Sequence, residues 1–583
     1  MNLFMRCKIH VLFLLVAHGA MAQTLTPFEQ SQGKASASLT ECLAYYKTLK
    51  AAYPAYVQLQ EPVLGKSELS YHDAGNIKLI TLTNRNIKSP KVKLFVCNAI
   101  HPGEPDGVDA CMMLSRDLLT RPELTKLLDQ VEVNIIPLYN TGGAQKRGCC
   151  SRANQDGPEE YGFRANDLNL DLNRDFIKCD ALETEVFQSF FQAVHPHIFI
   201  DTHVSDGADY QYTLTLISSQ HNKYENEAME NFQQQIFIPQ LYSRLENVGT
   251  LLVPYVDTYK ETPDSGIVGF WDGPRYSTGY ASLFNCFSFV TETHMLKPYD
   301  KRVKATYNFL KEMIKYAAEQ KNTLINLQLR ADTLSARQTD FALQWKLDTT
   351  QYNMIPFKGY KALYKPSKVT GKDQLVYDRS QPYTKQIRFY DEYSPTKSVK
   401  APACYAMPYE WFYKLNMKRL GLNYRVVKDT EAVVTTYRIR SSETSKKAYE
   451  SHFTHYNTEV DTATLLQKMT GSWVIIPLDK NPHFKRYLIE ILEPESNESF
   501  FSWTMVDNIL QQKEGFSDYV WDHRAEEILD ADPELRKKLE DRKNSDEAFK
   551  NNARAQLEFV YRHSNYFEKS YLLYPVFRIE QKP

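Results

Sequence analysis

The sequence has no excess of charge of either sign. Its 583 residues include 70 lysines and arginines against 71 aspartates and glutamates, a formal net charge of -1. Without a strong overall electric field, neither a nucleic acid nor an anionic membrane surface is expected as a partner. With 43% hydrophobic and 24% charged residues, the composition is typical of a folded protein and excludes a disordered chain.

Long apolar runs are also scarce, since the one clear example lies near the N-terminus. The run at 9–17 follows Arg6 and Lys8 and precedes small residues that end at Ala22. This pattern is typical of a secretory signal peptide, and the run is too short to span a bilayer as a membrane anchor. We therefore predict a signal peptide at 1–22, no membrane span, and export to the periplasm or the extracellular space.

Cysteine is sparse and unevenly placed. No Cys-x-x-Cys sequence occurs among the 9 cysteines, which leaves a thiolate zinc site or thioredoxin-like chemistry without support. Cys97 and Cys286 lie in apolar runs and are expected in the core. The adjacent Cys149 and Cys150 could each pair elsewhere in an oxidising compartment, and the sequence leaves their connectivity open.

Strands and helices alternate in the first half of the chain. Apolar, β-rich runs at 91–100 and 131–138 alternate with helical spacing at 105–119 and 181–194. This order predicts an α/β fold whose sheet is covered by helices on both faces. The polar loop at 140–168 is too long for a passive connector and is expected to be functional.

The second half has a different pattern. Short alternating β segments follow residue 325, and charged amphipathic helices are predicted at 519–529 and 533–554. With no internal repeat or low-complexity linker, we predict a catalytic domain at 23–325 and a β-rich C-terminal domain at 326–583. The second domain could be a packing or chaperone-like domain, a carbohydrate- or cell-surface-binding module, or a wall of the substrate cleft.

Potential metal ligands follow two strands of the predicted sheet. His101 and Glu104 come directly after one strand and His203 after another, and the carboxyl ends of strands are where α/β folds build sites. A catalytic zinc takes three protein ligands and a water, and it accepts imidazole and carboxylate together. These three residues are therefore the predicted zinc ligands, whereas His195 and His197 lie at the opposite end of the strand and are expected to be structural.

Two further motifs supply groups that hydrolysis needs. Asp171, Asn173 and Arg174 form an Asp-x-Asn-Arg string in which the arginine fork can grip a carboxylate and the asparagine adds a directional amide. Asp171 could accept the free N–H of a metal-bound imidazole. Glu292 ends an apolar strand, where it could take a proton from water and return it to a leaving amine. Its structural alternative is an ion pair with Lys297 or Arg302.

These motifs occur in a fixed order along the chain: His101-x-x-Glu104, Asp171-x-Asn173-Arg174, His203 and Glu292. The order resembles the zinc carboxypeptidases of the carboxypeptidase A type, and in particular a secreted bacterial branch, over about residues 36–320. The resemblance implies a mixed, mostly parallel sheet of eight strands between helices, one zinc ion, and hydrolysis of the C-terminal bond of peptides or proteins. It also implies that Asn173 and Arg174 hold the terminal carboxylate, that Asp171 supports His101, and that Glu292 is the general base.

Two roles of that family have more than one match in this sequence. The arginine that stabilises the oxyanion is best matched by Arg164, with Arg147 and Arg152 as alternatives in the same loop. The mobile tyrosine that precedes the base is matched by Tyr276 or Tyr280. Both are retained as predicted substrate-binding residues.

The sequence thus predicts a zinc-dependent metallocarboxypeptidase. One alternative is a zinc amidohydrolase, deacylase or peptidoglycan-peptide hydrolase on the same fold. Another is a non-catalytic peptide-binding protein, against which the intact Glu292 and the complete ligand set argue. The preferred C-terminal residue and the oligomeric state are left open by the sequence.

Overall fold

The structure, a computed structural model, describes residues 25–62, 73–220, 226–511 and 513–581. The predicted signal peptide at 1–22 lies outside these residues. The described chain divides into two units. The first contains the described residues up to Ala401 together with Tyr449–Ser451 and Asp479–Glu498, and the second contains Pro402–Ala448, His452–Leu478 and the described residues from Ser499 onward.

A single large sheet forms the frame of the first unit. The strands up to residue 294 are β1 Val57–Gln60, β2 Leu79–Leu82, β3 Val92–Asn98, β4 Val131–Ile136, β5 Ile198–Ser205, β6 Leu214–Ser218, β7 Leu252–Pro254, β8 Asp257–Thr258, β9 Ile267–Val268 and β10 Phe287–His294. Eight of them form the sheet, in the order β1-β2-β4-β3-β5-β10-β6-β7. The pairs β4–β3, β3–β5, β5–β10 and β6–β7 are parallel and the other three are antiparallel. The predicted mixed, mostly parallel sheet is confirmed.

Helices cover both faces of this sheet. Those of the first unit up to residue 337 are Pro27–Gln30, Leu39–Ala52, Asp106–Thr120, Pro122–Thr125, Thr141–Gln145, Leu182–Val194, Glu227–Phe232, Ile238–Asn247, Ser277–Ser282, Tyr299–Glu319 and Lys321–Arg337. Among the described residues, no helix has both the length and the apolar character needed to cross a bilayer.

Alternate residues of the central strands pack into two separate layers, as the two-residue period of a strand requires. Leu94 of β3 packs in a large cluster with apolar residues of the helix Asp106–Thr120. The next residue, Phe95, packs against Phe187 of the helix Leu182–Val194, with ring centroids 5.7 Å apart. Both faces of β3 are therefore apolar, which explains the near-continuous hydrophobic run in its sequence.

The first unit continues beyond the helices of the large sheet. Its further strands are β11 Asp340–Leu347, β12 Asn353–Pro366, β13 Asp373–Tyr390 and β14 Tyr393–Lys400. β11 pairs with β14, and the hairpin of β12 and β13 joins β8 and β9 in a four-stranded sheet. The predicted domain limit at 325–326 falls inside the helix Lys321–Arg337, and the assignment of catalysis to 23–325 stays a prediction.

A later segment of the chain is also buried in the first unit. Every residue of the helix Lys485–Leu492 is buried. The Tyr487 hydroxyl donates a hydrogen bond of 3.1 Å to the carbonyl of Ile177, and Arg486 Nη1 donates one of 3.1 Å to Asn285 Oδ1. The first unit is thus assembled from parts of the chain that lie far apart in sequence.

The second unit combines a barrel with helices. Its strands β15 Cys404–Pro408, β16 Arg425–Thr444, β17 His455–Pro477 and β18 Phe577–Ile579 form a closed barrel in the order β15-β17-β16-β18. Its helices are Tyr409–Lys414, Asp518–Ala531, Pro533–Ser545, Glu547–Lys550 and Ala553–Arg562. The predicted strand-rich C-terminal region with terminal helices is confirmed.

The prediction of one helix at 533–554 is wrong, because three helices lie there. The side chain of Asp546 accepts a hydrogen bond from the N–H of Phe549 and starts the second helix. Asn552 starts the third in the same way through the N–H of Ala555. Short polar side chains that cap N–H groups end one helix and start the next.

Candidate active site

A cavity of about 470 Å³ opens where the central parallel strands end. Eight of the ten predicted site residues line it, and these are His101, Glu104, Arg164, Asn173, Arg174, His203, Tyr276 and Glu292. The sheet topology explains the convergence, because β3, β5 and β10 run parallel and their carboxyl ends meet at one edge. Asp171 contacts the cluster through His101, and Tyr280 lies elsewhere.

His101, Glu104 and His203 form a buried cluster of potential metal ligands. Each offers one ligand atom, and the three atoms lie within 4.8 Å of one another. His203 Nδ1 is 2.9 Å from Glu104 Oε2, and His101 Nδ1 is 3.3 Å from Glu104 Oε1. Two imidazole nitrogens and a carboxylate oxygen are a donor set that zinc takes in catalytic sites, so these residues fit the ion that the sequence predicts.

An aspartate orients each imidazole of the cluster. His101 Nε2 lies 2.9 Å from Asp171 Oδ1, and His203 Nε2 lies 2.8 Å from Asp201 Oδ2. Such contacts fix the tautomer and direct the other ring nitrogen, Nδ1, toward Glu104. Asp171 was predicted and Asp201 was missed. Its signal was a carboxylate two positions before His203, hence on the same side of the strand. Asp201 is itself held by Ser277, whose hydroxyl donates to Oδ2 at 2.5 Å.

Neighbouring charges govern the protonation of the cluster. Burial alone would raise the pKa of Glu104, but His101 and Arg152 hold it well below its usual value. Burial alone would lower the pKa of His203, but Asp201 holds it well above its usual value. Metal binding at this cluster must therefore displace a proton, because a ligating imidazole is neutral.

Glu292 lies beside the cluster on β10, where it is the parallel partner of His203 on β5. Its Oε2 is buried and has no hydrogen-bond partner among the described residues. Burial is the main cause that raises the pKa of Glu292 to about 8, and Glu104 and Asp201 raise it further against the opposing effect of His203. A cation held by the cluster would lower this pKa, because positive charge favours the carboxylate. The predicted alternative, an ion pair with Lys297 or Arg302, is not seen among the described residues: the Lys297 ammonium contacts Asp209, and the Arg302 guanidinium contacts Asp106.

Asn173 and Arg174 lie in a short 3-10 helix that Asp171 caps by accepting the N–H of Asn173 at 2.9 Å. The Arg174 guanidinium lies over the ring of Tyr276, 4.7 Å from its centroid. Its Nη1 donates to the Asn173 carbonyl at 2.8 Å. The cation is therefore fixed at the cavity wall, with further N–H groups available to a ligand.

The three loop arginines occupy different positions. Arg164 lines the cavity with a side chain that is 47% exposed, and its Nη1 is 3.4 Å from His101 Nδ1. Arg152 also lines the cavity but donates to Glu104 Oε1 at 2.8 Å. Arg147 donates to oxygens of Ser36, Ala37 and Glu160 and is not among the lining residues.

The two candidate tyrosines are separated by one turn of helix. Tyr276 precedes the helix Ser277–Ser282 and lines the cavity. Tyr280 is fully buried, its hydroxyl accepts a hydrogen bond of 3.1 Å from Gln192, and its ring centroid is 5.5 Å from that of Phe191. Tyr280 lies on the side of the helix that packs into the aromatic core, so the structure does not bring it to the cavity.

The sequence left the disulfide pairing of the two adjacent loop cysteines open. Cys149 and Cys150 are joined to each other rather than to distant partners. Cys97 and Cys286 are buried in the core as predicted. His197 also has a structural place, since its Nδ1 accepts the N–H of Lys93 at 2.9 Å at the far end of β5.

Comparison with known proteins identifies one family. A family model described as zinc carboxypeptidase matches residues 42–343. Among solved structures, the chain is similar to a metallo-carboxypeptidase from Burkholderia cenocepacia, with 19% identity, 48% of this chain and 69% of that chain covered, and a TM-score of 0.36. It is similar to the carboxypeptidase A from Helicoverpa armigera with 15% identity, 52% and 75% coverage, and a TM-score of 0.36. A search of curated proteins finds no match.

The family match spans just over half of the 583 residues. It contains all three candidate metal ligands, the Asn-Arg pair and Glu292. On the strength of that match, the chain belongs to the zinc carboxypeptidase family.

Proposed function

We propose that this protein is a zinc-dependent metallocarboxypeptidase that uses one zinc ion to hydrolyse the C-terminal bond of peptides or proteins. The observation that carries the proposal is a single cavity lined by the metal-ligand cluster, by Glu292 and by the cation of Arg174. These are the groups needed to activate water, move a proton and recognise a free carboxylate.

His101, Glu104 and His203 would hold the zinc. When bound, the ion supplies a Lewis acid that polarises the scissile carbonyl and makes water a nucleophile at neutral pH. Asp171 and Asp201 keep Nδ1 of both imidazoles directed at the cluster. A count of one ion is supported because this is the one group of at least three such side chains within the described ranges.

Arg174 and Asn173 bind the terminal carboxylate of the substrate. Arginine presents parallel N–H groups that match the two oxygens of a carboxylate, and Asn173 adds its side-chain amide. The Tyr276 ring packs against the Arg174 guanidinium, whose carbon lies 4.7 Å from the ring centroid. A peptide with an amidated C-terminus would lack the negative charge and lose most of this recognition.

The wall beside Glu292 favours an apolar C-terminal side chain. Val290, two residues before Glu292 on β10, faces the cavity next to its antiparallel partner Ile217. Phe270 and Tyr255 extend the wall, with ring centroids 6.4 Å apart. We therefore infer a preference for aromatic or branched aliphatic residues, since they bury apolar surface there.

Glu292 and Arg164 act on the reacting groups. Glu292 takes a proton from the attacking water and returns it to the departing amine, a role supported by its free Oε2 beside the cluster. Arg164 stabilises the oxyanion that develops on the scissile carbonyl. Its partial exposure at the cavity and the commitment of Arg152 to Glu104 favour Arg164 for this role.

A panel of peptides that differ in the C-terminal residue tests the function. Each peptide is offered with a free and with an amidated C-terminus, with and without a chelator, and the products are identified by mass. We expect loss of one C-terminal residue, abolished by chelation and by amidation. Indifference to amidation would instead favour an amidohydrolase or peptidoglycan-peptide hydrolase, and zinc-loaded protein that binds peptide without turnover would favour a binding protein.

Export is a separate proposal that rests on the sequence of residues 1–22. Its basic start, short apolar run and small residues before position 23 support cleavage after Ala22. Expression with the complete leader, followed by N-terminal sequencing of the protein outside the cytoplasm, should give a chain that starts at Gln23.

A further inference from the structure

One buried serine contacts both the metal-ligand cluster and the Asn-Arg pair of the candidate site. Ser277 is the first residue of the helix Ser277–Ser282, is 1% exposed and lines the cavity. It is not among the site residues that the sequence predicts. Its hydroxyl and its backbone N–H each donate a hydrogen bond, and the two bonds reach different halves of the site.

The hydroxyl contact leads to a candidate metal ligand. Ser277 Oγ donates to Asp201 Oδ2 at 2.5 Å, and the same oxygen lies 2.8 Å from His203 Nε2. Asp201 is fully buried, and its other oxygen, Oδ1, has no hydrogen-bond partner among the described residues. A buried carboxylate is stable only where hydrogen-bond donors satisfy it. The direction of this carboxylate therefore depends on the Ser277 hydroxyl as well as on His203.

The backbone contact leads to the Asn-Arg pair. The Ser277 N–H donates to Asn173 Oδ1 at 3.4 Å. Because a backbone N–H can only donate, this bond assigns the oxygen of the Asn173 amide to Ser277 and leaves the NH₂ group for another acceptor. Asn173 lines the same cavity, and a substrate carboxylate is an acceptor of the required kind. The contact thus selects the orientation of the amide that suits recognition of a free C-terminus.

The helix that carries Ser277 is fixed in the core. A Cβ at Gly279 would overlap the backbone carbonyl of Asp272, so glycine allows the helix to pack directly on that loop. The next residue, Tyr280, lies in the aromatic core with its ring centroid 5.5 Å from that of Phe191. A serine at the start of such a helix can position two partners at once, because its own backbone is held by a rigid element.

We propose that Ser277 is a positioning residue shared by the metal-ligand cluster and the Asn-Arg pair. Its hydroxyl fixes Asp201 behind His203, and its N–H turns the Asn173 amide toward the substrate carboxylate. This inference rests on the proposed zinc-binding role of His203 and the proposed carboxylate-binding role of Asn173. It goes further in that one residue, through two different atoms, sets both the affinity for zinc and the recognition of a free C-terminus.

The change Ser277→Ala tests the hydroxyl, since it keeps the N–H. We expect the Kd of zinc, measured by competition with a chromophoric chelator, to rise by about tenfold, as for other groups that support a metal-bound imidazole. Ser277→Thr keeps a hydroxyl and should stay within about threefold of wild type. Ser282→Ala is the matched control, because it removes a fully buried hydroxyl of the same helix that donates to Ser219. It should leave the Kd of zinc unchanged.

A double-variant cycle shows whether the hydroxyl acts through Asp201. Once Asp201→Asn is in place, adding Ser277→Ala should raise the Kd of zinc by less than about twofold. The thermal midpoint is measured for every variant. The role of the hydroxyl would be overturned by a full effect of Ser277→Ala in the Asp201→Asn protein, by an equal effect of Ser282→Ala, or by a rise in Kd that disappears on correction for unfolded protein.

The change Ser277→Pro tests the N–H, because it removes this group together with the hydroxyl. Proline suits the first position of a helix, and Tyr276 already has the extended backbone that a residue before proline adopts. Binding of N-acetylphenylalanine and its amide to zinc-loaded protein, measured by calorimetry, gives the preference for the free acid. Ser277→Ala should keep this preference and Ser277→Pro should lose about fivefold of it. Equal preference in the two variants would overturn the role of the N–H.

Neither measurement requires turnover, so this inference and the proposed function can fail separately. The expected effects of the Ser277 variants in a protein that leaves peptides intact would contradict the hydrolase alone. Zinc-dependent peptide cleavage, together with an unchanged Kd of zinc in Ser277→Ala and an unchanged acid preference in Ser277→Pro, would contradict this inference alone.

Discussion

Glu104 and Glu292 line the same cavity but differ in their hydrogen bonds and in the direction of their pKa shifts. Glu104 accepts hydrogen bonds from Arg152 at 2.8 Å and from the Val204 N–H at 3.0 Å, and its pKa is held well below the usual value. Burial raises the pKa of Glu292 to about 8 instead, and its Oε2 has no hydrogen-bond partner in the described part of the chain. Different surroundings thus give Glu104 and Glu292 opposite pKa shifts, in line with the proposed roles of metal ligand and proton carrier.

The change Glu292→Gln should abolish most turnover without loss of the metal. An amide of the same shape has no basic carboxylate, so we expect kcat to fall by about 100- to 10,000-fold, the usual contribution of a general base. Zinc content, measured by metal analysis, should stay at the wild-type level because Glu292 is outside the ligand cluster. Turnover within a few fold of wild type would contradict its assignment as the base.

The change Arg174→Lys should weaken the recognition of free C-termini although it preserves the charge. Lysine offers a single ammonium in place of the planar fork, and it loses the stacking on Tyr276. We expect KM for a free-carboxylate peptide to rise by about tenfold or more, measured by steady-state kinetics. Arg330→Lys, at an exposed position, serves as the control. An unchanged KM for Arg174→Lys would contradict the proposal that Arg174 binds the terminal carboxylate.

Most residues of the candidate site lie at the ends of strands or near the starts of helices. β3, β5 and β10 are parallel neighbours, so residues that follow or end them come together whatever their distance in sequence. The helix Asp106–Thr120 begins two residues after Glu104 and buries two carboxylates in its first turn, Asp106 and Asp109. The candidate ligand Glu104 therefore lies beside a helix start that is anchored in the core.

Asp109 should make the stability of the protein depend on pH. It accepts hydrogen bonds from the N–H of Ala37 and from the hydroxyl of Tyr299. Burial is the main cause that raises its pKa from 3.8 to about 7, and Asp106 adds to the rise. The folded protein therefore keeps this proton longer than the unfolded chain. Its contribution is fully present below pH 4 and is lost as pH rises through about 7.

Thermal midpoints of wild type and Asp109→Asn between pH 5 and pH 8 test this dependence. Asparagine stays neutral, so the advantage of wild type over the variant should shrink as pH rises, by up to a few kcal/mol over the range. The control Asp300→Asn, at a side chain that is 46% exposed, should show a constant difference from wild type. A constant difference for Asp109→Asn as well would contradict the buried titration.

In the whole molecule, the first unit depends on segments that are distant in sequence. Asp479–Glu498 and Tyr449–Ser451 belong to it, although residues of the second unit precede and follow both in the chain. Tyr487 and Leu488 of the later segment are fully buried. The first unit, which contains the candidate site, therefore includes more of the chain than the matched family region at 42–343.

A chain that ends at Ala401 should not give a stable folded protein. Losing the helix Lys485–Leu492 uncovers the surface that buries its large side chains. Each such loss costs about 2 to 5 kcal/mol, against a total stability of about 5 to 15 kcal/mol. Soluble yield and melting by circular dichroism measure the effect.

Point changes in the full chain provide the control for this truncation. Tyr487→Ala should lower the thermal midpoint, whereas Tyr413→Ala should leave it unchanged because Tyr413 is 71% exposed. A stable, zinc-binding protein that ends at Ala401 would contradict the structural dependence on the later segment.

Much of the sheet and of the candidate site could be predicted from the sequence. β3 and the helix Asp106–Thr120 were expected almost where they lie, because a continuous apolar run and helical spacing are local signals. Tyr276 and Tyr280 were indistinguishable in sequence, and only the folded chain places Tyr276 before the helix at the cavity and Tyr280 within the helix in the aromatic core. The helix predicted at 533–554 missed the caps at Asp546 and Asn552, which interrupt a charged pattern that looks continuous.

The sequence by itself determined the near-neutral charge, the order of the motifs and the types of side chain available to a metal and a carboxylate. Those features depend on residue identity and on short-range spacing. Only the tertiary structure decided that Asp201 lies against His203, that Cys149 pairs with Cys150, and that Tyr449–Ser451 belongs to the first unit. Such contacts depend on how the chain folds back on itself, and no local pattern of apolar and polar residues records that.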